Sequence, residues 1–339
     1  MKEKIECPYC DGQAKLEREG KLLTYRKEQF TVVAHYYKCN KCSEEFTTTE
    51  SDTITLLQVH NQYREKYGIP FIEEIVAIRD KYELSASKMS EVLGLGANGY
   101  SNYEKGEIPT QAIGNLISNA DNPEVFNGMV DKARHCFTSE TAFEKIKKRI
   151  QHIIERQHGV GYYQLALNQH SEPNSLTGYK KINKDKVANI LIAYTINCIS
   201  EYNDRLKLNK LLFYTDFANY KNTGYSITGL SYRAIQHGPV PTNYDNIFAC
   251  FQNEGLITSN WVKENKGAAK EYFLTEKEYD STLFSESEKS TIDAIINKFK
   301  NTRTWDLVDL SHKEKGWIDL KDERAVIDFQ KYAFELQGI

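Results

Sequence analysis

Apolar positions recur with two different periods along this chain, and the change of period marks its elements. Residues 24–39, TYRKEQFTVVAHYYKC, alternate and are rich in β-branched and aromatic side chains, which predicts a strand. From residue 50 the spacing lengthens to three and four. Leu56, Val59, Tyr63 and Tyr67 fall near a helical stripe, Ile54, Leu57, Gln58 and Asn61 make no clean one, and Gly68 and Pro70 end the run. A connecting helix is expected there. Ile72, Ile75, Val76 and Ile78 supply the next apolar face, and Ser85 can cap a short helix with Met89, Val92 and Leu93 turned inward. Gly94 turns the chain. Residues 97–105 read as a third helix with Tyr100 and Tyr103 inward, Gly106 ends it, and Pro109 leads into a fourth helix bearing Ala112, Ile113, Leu116 and Ile117.

Beyond this helix-turn-helix pattern, Phe143, Ile146, Ile150, Ile153 and Ile154 share one side of a helix that Thr138 or Ser139 can cap. Lys145, Lys147, Lys148, Arg149 and Arg156 fall mostly on its other side. A polar loop, NQHSEPNSLTGYKKINKD, marks entry to a further domain. Its helical patterns include LKLNKLLFYTDFANYKNTG, with Leu208, Leu211, Leu212, Tyr214 and Phe217 as a core face and Gly224 as its close. YRAIQHGPVP reads as a short strand turning at Gly-Pro, and LITSNWVKENKGAAKEYFLT as a small hairpin. The predicted class is mainly α with small β elements. Its parts are a ribbon over 1–49, a connecting helix over 50–68, a helix-turn-helix over 69–123, an amphipathic helix and linker over 124–184, and a C-terminal helical domain with a short hairpin over 185–339.

Composition narrows what such a chain can do. A 40% hydrophobic, 12% aromatic content over 339 residues can bury more than one core, and a net charge of −3 gives no global basic field. Contact with nucleic acid must therefore come from a local surface. VANILIAYTINCIS, the most apolar helical run, is too short and too interrupted to span a bilayer, so a soluble cytoplasmic protein without membrane contact is expected.

Four of the seven cysteines form two pairs, CPYC (Cys7, Cys10) and CNKC (Cys39, Cys42). Each pair can place two thiolates on one side of a tight turn, and four thiolates close a tetrahedral site with no position left for water, which predicts a structural Zn2+. A redox dithiol is the rival, but such motifs usually occur once, at a strand-to-helix turn. The 28 residues between the pairs leave room for one more strand or a loop. His35 could replace a ligand, although four cysteines already complete the shell. Cys136, Cys198 and Cys250 read as small buried hydrophobes.

With Tyr100 and Tyr103 inward, Asn98, Ser101 and Asn102 share the outer face of the third helix. Asparagine can bond bidentately to adenine N6 and N7 in the major groove, and the start of a recognition helix is the part that reaches base edges. Gly99 would allow close approach, and Lys88 and Lys105 are potential phosphate contacts.

ELSASKMSEVLGLGANGYSNYEKGEIP resembles the Xre/Cro helix-turn-helix, and the succession of four-cysteine ribbon, connecting helix and NGYSNYEKG is similar to MqsA-type antitoxins. In that family the recognition helix reads N-x-x-S-R-Y-E-x-G. Asn98, Ser101, Tyr103, Glu104 and Gly106 match, and the resemblance gives Asn98 a base-contacting role. Asn102 stands where an arginine is usual, and Ala86 where many Xre domains carry glutamine. Both departures bear on the operator and leave the fold untouched.

KLNKLLFYTDF, YRAIQHGPVPTNY and DLSHKEKGW resemble the Panacea, or SocA-like, domain. That resemblance implies an antitoxin module, often placed behind a DNA-binding domain, that neutralises a partner toxin. The expected whole is a type II antitoxin that grips a cognate toxin through its C-terminal domain and represses its own operator DNA as a homodimer. A transcriptional regulator with a ligand-sensing or oligomerising C-terminal domain, or a proteolytic adaptor, remain open. His237, His312, Asp216, Asp245 and Glu314 could act as acids or bases, but no nucleophile elbow, phosphate loop or metal-ligand pair accompanies them, so no enzyme is expected. Tyr232, His237, Pro239, Tyr244 and Trp317 could form a partner-binding surface or pack a core.

Overall fold

The computed structural model describes residues 1–157, 172–199, 203–263 and 269–339, and the chain divides into two compact units. One unit contains Met1–Val59 and Ala166–Ile339, and the other His60–Leu165.

The first unit opens with a four-stranded antiparallel sheet in chain order: β1 (Lys4–Glu6), β2 (Gln13–Tyr25), β3 (Glu28–Cys39) and β4 (Glu45–Phe46). β2 and β3 pair from Ala14↔Cys39 to Tyr25↔Glu28. The insert between the cysteine pairs is thus one long hairpin: β2 is the further strand for which the insert left room, and the strand read over 24–39 contains the turn. Arg26 and Lys27 make that turn at φ 47° and 70°, without the Asn-Gly that usually announces it.

Helix α1 (Thr49–Tyr67) follows, and its buried face differs from the expected stripe. Leu56 is 50% exposed, whereas Ser51, Thr55 and Gln58 are buried beside Ile54 and Val59. Much of the face is polar. Gln58 and Thr55 meet the backbone of β3, so hydrogen bonding selects this face and apolar periodicity misses it.

In the second unit, α2 (Ile72–Lys81), α3 (Ala86–Leu93), α4 (Gly99–Glu104) and α5 (Gln111–Asn119) build the helix-turn-helix. Ser85 caps α3 by accepting from Lys88 N, and Gly94 adopts the left-handed conformation at φ 69° that ends it. Ile75, Ile78, Met89, Tyr100 and Ile117 form the core, and it continues through Phe126 and Val130 of α6 (Pro123–Lys132) to Phe143, Ile146 and Ile150 of α7 (Glu140–Gln157). The amphipathic helix therefore packs on the helix-turn-helix core itself. Its caps hold as expected, with Ser139 accepting from Ala142 N. The Arg156 side chain lies outside the described residues, as do residues 168–171 at the start of the polar loop.

The C-terminal part of the first unit centres on α9 (Arg205–Thr223), preceded by α8 (Lys184–Asn197). The residues expected as a core face of α9 are buried, but so are Lys207, Asn209, Lys210, Thr215, Asp216 and Asn219. It is a central helix enclosed on all sides. Among the described residues two hairpins, not one, accompany it: β5 (Tyr232–Ile235) with β6 (Gly238–Pro241), and β7 (Thr258–Lys263) with β8 (Ala269–Leu274). The first turns at Gln236 and His237, and Gly238 and Pro239 already belong to its second strand. Helices α10 (Tyr244–Asn253), α11 (Glu286–Phe299), α12 (Thr304–Ser311), α13 (Lys315–Leu320) and α14 (Phe329–Tyr332) complete the unit.

Candidate metal centre and nucleic-acid interface

The sheet register brings the ends of β1, β2 and β3 together, and with them the two cysteine pairs. All four sulfurs lie within 4.8 Å of one another, with Cys7 to Cys42 at 3.7 Å and Cys10 to Cys39 at 3.5 Å. A tetrahedral Zn2+ with Zn–S bonds of about 2.3 Å requires sulfurs about 3.8 Å apart. The cluster fits such an ion. Backbone N–H groups of Tyr9, Gly12 and Lys41 donate to Cys7, Cys10 and Cys39 at 3.3–3.4 Å, as thiolates require. The Cys42 and then the Lys41 backbone N–H hold the Cys39 thiol down at about 6. Gly12 closes the cradle, since a Cβ there would lie 2.9 Å from Cys39 Sγ and 2.7 Å from Lys41 Cβ. With four protein ligands the site has no open position, so when bound the ion would cross-link the ribbon without activating water.

His35 is not part of this shell. It is 1% exposed, its backbone N donates to Thr55 Oγ1 (3.0 Å), and its ring meets Phe334 edge-on at 5.1 Å.

In the other unit, Asn98, Asn102 and Lys105 are exposed and Ser101 is half-buried on α4. Asn98 occupies the N-cap position with no side-chain cap bond. Tyr100 anchors the helix: its hydroxyl donates to Ile75 O (2.7 Å) and its backbone N to Ser90 Oγ (2.9 Å). Lys88, the other potential phosphate contact, is half-buried on α3. Its ammonium pairs with Glu91 and donates to Cys136 O at 2.6 Å, so intramolecular partners already hold it. Gly99 also has a reason inside the fold, because a Cβ there would stand 2.9 Å from Leu95 Cβ.

Two supporting residues escaped the sequence reading. Arg79 Nε donates to Glu104 at 2.6 Å and Nη1 to Leu84 O at 3.2 Å, tying α2 to α4. Arg64, 2% exposed, donates to Pro70 O (2.5 Å) and Glu107 O (3.2 Å), fixing the loop after α4. The only sequence signal for the first was a glutamate inside the motif; nothing marked the second.

The expected C-terminal contact residues do not form one exposed surface. Tyr232 is fully buried, with its hydroxyl donating to Asp216 at 2.6 Å, and Pro239 is buried with its carbonyl accepting from Lys210 Nζ at 2.9 Å. Both are core, because β5 and β6 pack against α9. Burial pushes Lys210 down to about 7. Tyr244, His237 and Trp317 are half-buried. Trp317 donates Nε1–H to Ile235 O (2.7 Å) and stacks on His312 at 3.9 Å, while His237 meets Trp305 edge-on. Of the possible acids, Glu314 accepts from Tyr214, Gln337 N and Gly338 N, and Asp245 pairs with Arg205 at 3.1 Å.

A closed four-cysteine ribbon, a helix-turn-helix and a helical domain with short hairpins define a modular protein. Residues 5–129 match the family described as the antitoxin component of a bacterial toxin-antitoxin system, MqsA. Residues 208–318 match the antitoxin SocA-like Panacea domain. Each match covers well under half of the chain, and both families are antitoxins. No curated protein matches the chain. Among the described residues no helix is long and apolar enough to cross a membrane.

Proposed function

We propose that the protein is a type II antitoxin that holds a structural Zn2+ at Cys7, Cys10, Cys39 and Cys42, neutralises a cognate protein toxin through its C-terminal domain, and represses its own operator as a homodimer. The observation that carries this reading is the co-occurrence of two antitoxin-family segments on one chain, one of which contains a complete helix-turn-helix. Asn98, Asn102 and Lys105, with Ser101, are the DNA-facing residues of this reading. Lys88 is left out because its ammonium is already held. Within the C-terminal domain, half-buried His237, Tyr244 and Trp317 remain as partner contacts.

Co-expression of the full-length chain with the product of the adjacent reading frame tests neutralisation. Growth should be restored and the two proteins should co-purify; unrestored growth beside soluble antitoxin overturns the assignment. For operator reading, Asn98→Ala should weaken specific binding by about 1–3 kcal/mol and leave non-specific binding unchanged. Equal loss on all sequences would refute base readout.

A further inference from the structure

The ribbon and the C-terminal segment belong to one compact unit, and a buried polar chain joins them. Gln58 on α1 is fully buried, its Oε1 accepting from Val33 N and its Nε2 donating to Val33 O, both at 2.8 Å. The same Oε1 accepts from Gln330 Nε2 at 2.8 Å. Gln330 Oε1 in turn accepts from the Tyr220 hydroxyl of α9 at 2.8 Å. Two residues further along β3, the His35 ring meets Phe334, and Phe334 meets Tyr220 at 5.8 Å. Neither ring nitrogen of His35 has a hydrogen-bond partner among the described residues. Leu57 lies over Gly224, where a Cβ would come within 2.7 Å of its Cδ2.

Beyond its pairing with β2 and β4, β3 is fixed at two places. Its last residue, Cys39, belongs to the thiolate cluster, and its middle is bonded to α1 and packed on Phe334. Without an ion the four thiols no longer cross-link the two cysteine turns, and this end of the hairpin is held by its backbone bonds to β2 and β4 alone, so it opens more readily. A displaced β3 takes the Val33 backbone from Gln58. Gln58 keeps Ile54 O and Gln330 but loses two buried bonds, which is costly, and its bond to Gln330 is where that loss is passed on. The segment 327–336 contributes to the core of the C-terminal domain: Ile327 N donates to Tyr232 O (2.8 Å), and Phe329 stacks on Phe217 at 4.0 Å.

We infer that the metal ribbon governs the C-terminal domain, loss of the ion being transmitted through Gln58, Gln330 and His35 to residues 327–336 and to α9, so that toxin neutralisation is metal-dependent. The neutralisation clause rests on the antitoxin reading; the structural coupling does not.

Hydrogen exchange on the full-length chain, zinc-loaded and after chelation, tests the coupling. Exchange in 28–39 and in 327–336 should rise at least about tenfold on zinc removal while Ile72–Lys81 stays protected. Unchanged 327–336 beside a loosened 28–39 overturns the inference, and so does equal loss in Ile72–Lys81, which would be global unfolding. Gln330→Leu should still bind Co2+ with a four-thiolate absorption spectrum, yet its 327–336 exchange should depend less on the ion, with His35 and Phe334 left as the remaining link. A dependence equal to that of the unsubstituted chain overturns the route. In cells, Cys39→Ser should fail to restore growth where the unsubstituted chain succeeds. If neither restores growth, the antitoxin reading falls and the exchange experiment still decides the coupling.

Discussion

The helix-turn-helix unit and the C-terminal domain are both mainly helical, but their helices are buried by different means. In the first, each helix presents one apolar stripe to a shared core: Ile75 and Ile78, then Met89 and Val92, then Phe143, Ile146 and Ile150. In the second, α9 is enclosed on all sides, and its polar residues are buried together with its apolar ones. An amphipathic helix is positioned by transfer of apolar area from water. An enclosed helix also needs a partner for every polar group it takes inside, which makes its place more specific and any single loss more damaging.

Asp216 is where this difference is largest. Its carboxylate accepts from Ile227 N (2.8 Å), Thr228 N (2.9 Å), the Thr228 hydroxyl and the Tyr232 hydroxyl (2.6 Å). Burial pushes its pKa up, and the donors oppose that shift. Asp216→Ala strands several buried donors at once and should cost about 4 kcal/mol or more in denaturant unfolding. A loss below that of an ordinary stripe residue such as Ile78→Ala would break the contrast between the two modes of burial.

A smaller effect is expected at His35, whose burial, followed by the Arg18 charge, pushes its pKa down to about 4. The unfolded side chain titrates near 6.5, so between these values the unfolded state binds more protons. The stability tied to neutral His35 is therefore complete above pH 6.5 and is lost as the pH falls towards 4. From pH 7 to pH 5 the unsubstituted chain should lose about 2 kcal/mol more than His35→Leu does. Parallel curves would mean that His35 finds a partner for its proton in the folded state.

What was legible in the sequence follows the same division. The cysteine spacing located the metal cluster because two C-x-x-C pairs restrict geometry by themselves, and the helix-turn-helix was legible from apolar spacing, Ser85 and Gly94. The polar face of α1 was not, because Gln58 is buried by its bonds to Val33 and Gln330, which lie far away in the chain. Nor was the turn at Arg26 and Lys27, which lacks the usual residues. Tyr232 and Pro239 looked like contact residues for a related reason. Nothing local reveals that α9 supplies Asp216 and Lys210 as their buried partners.

The smallest effect gives the sharpest test of this account of α1. Leu56 belongs to the apolar stripe that the sequence suggests, and it is 50% exposed, while neighbouring Gln58 is not exposed at all. If apolar periodicity positions the helix, Leu56→Ser should cost what a core leucine costs. If the hydrogen bonds from Gln58 to β3 position it, Leu56→Ser should stay within about 0.5 kcal/mol of the unsubstituted chain, as exposed substitutions do. Gln58→Ala should cost about 2 kcal/mol in the same unfolding measurement, because it leaves the Gln330 amide without this acceptor. Reversal of that order would show that the exposed stripe, and not the polar face, holds α1 in place.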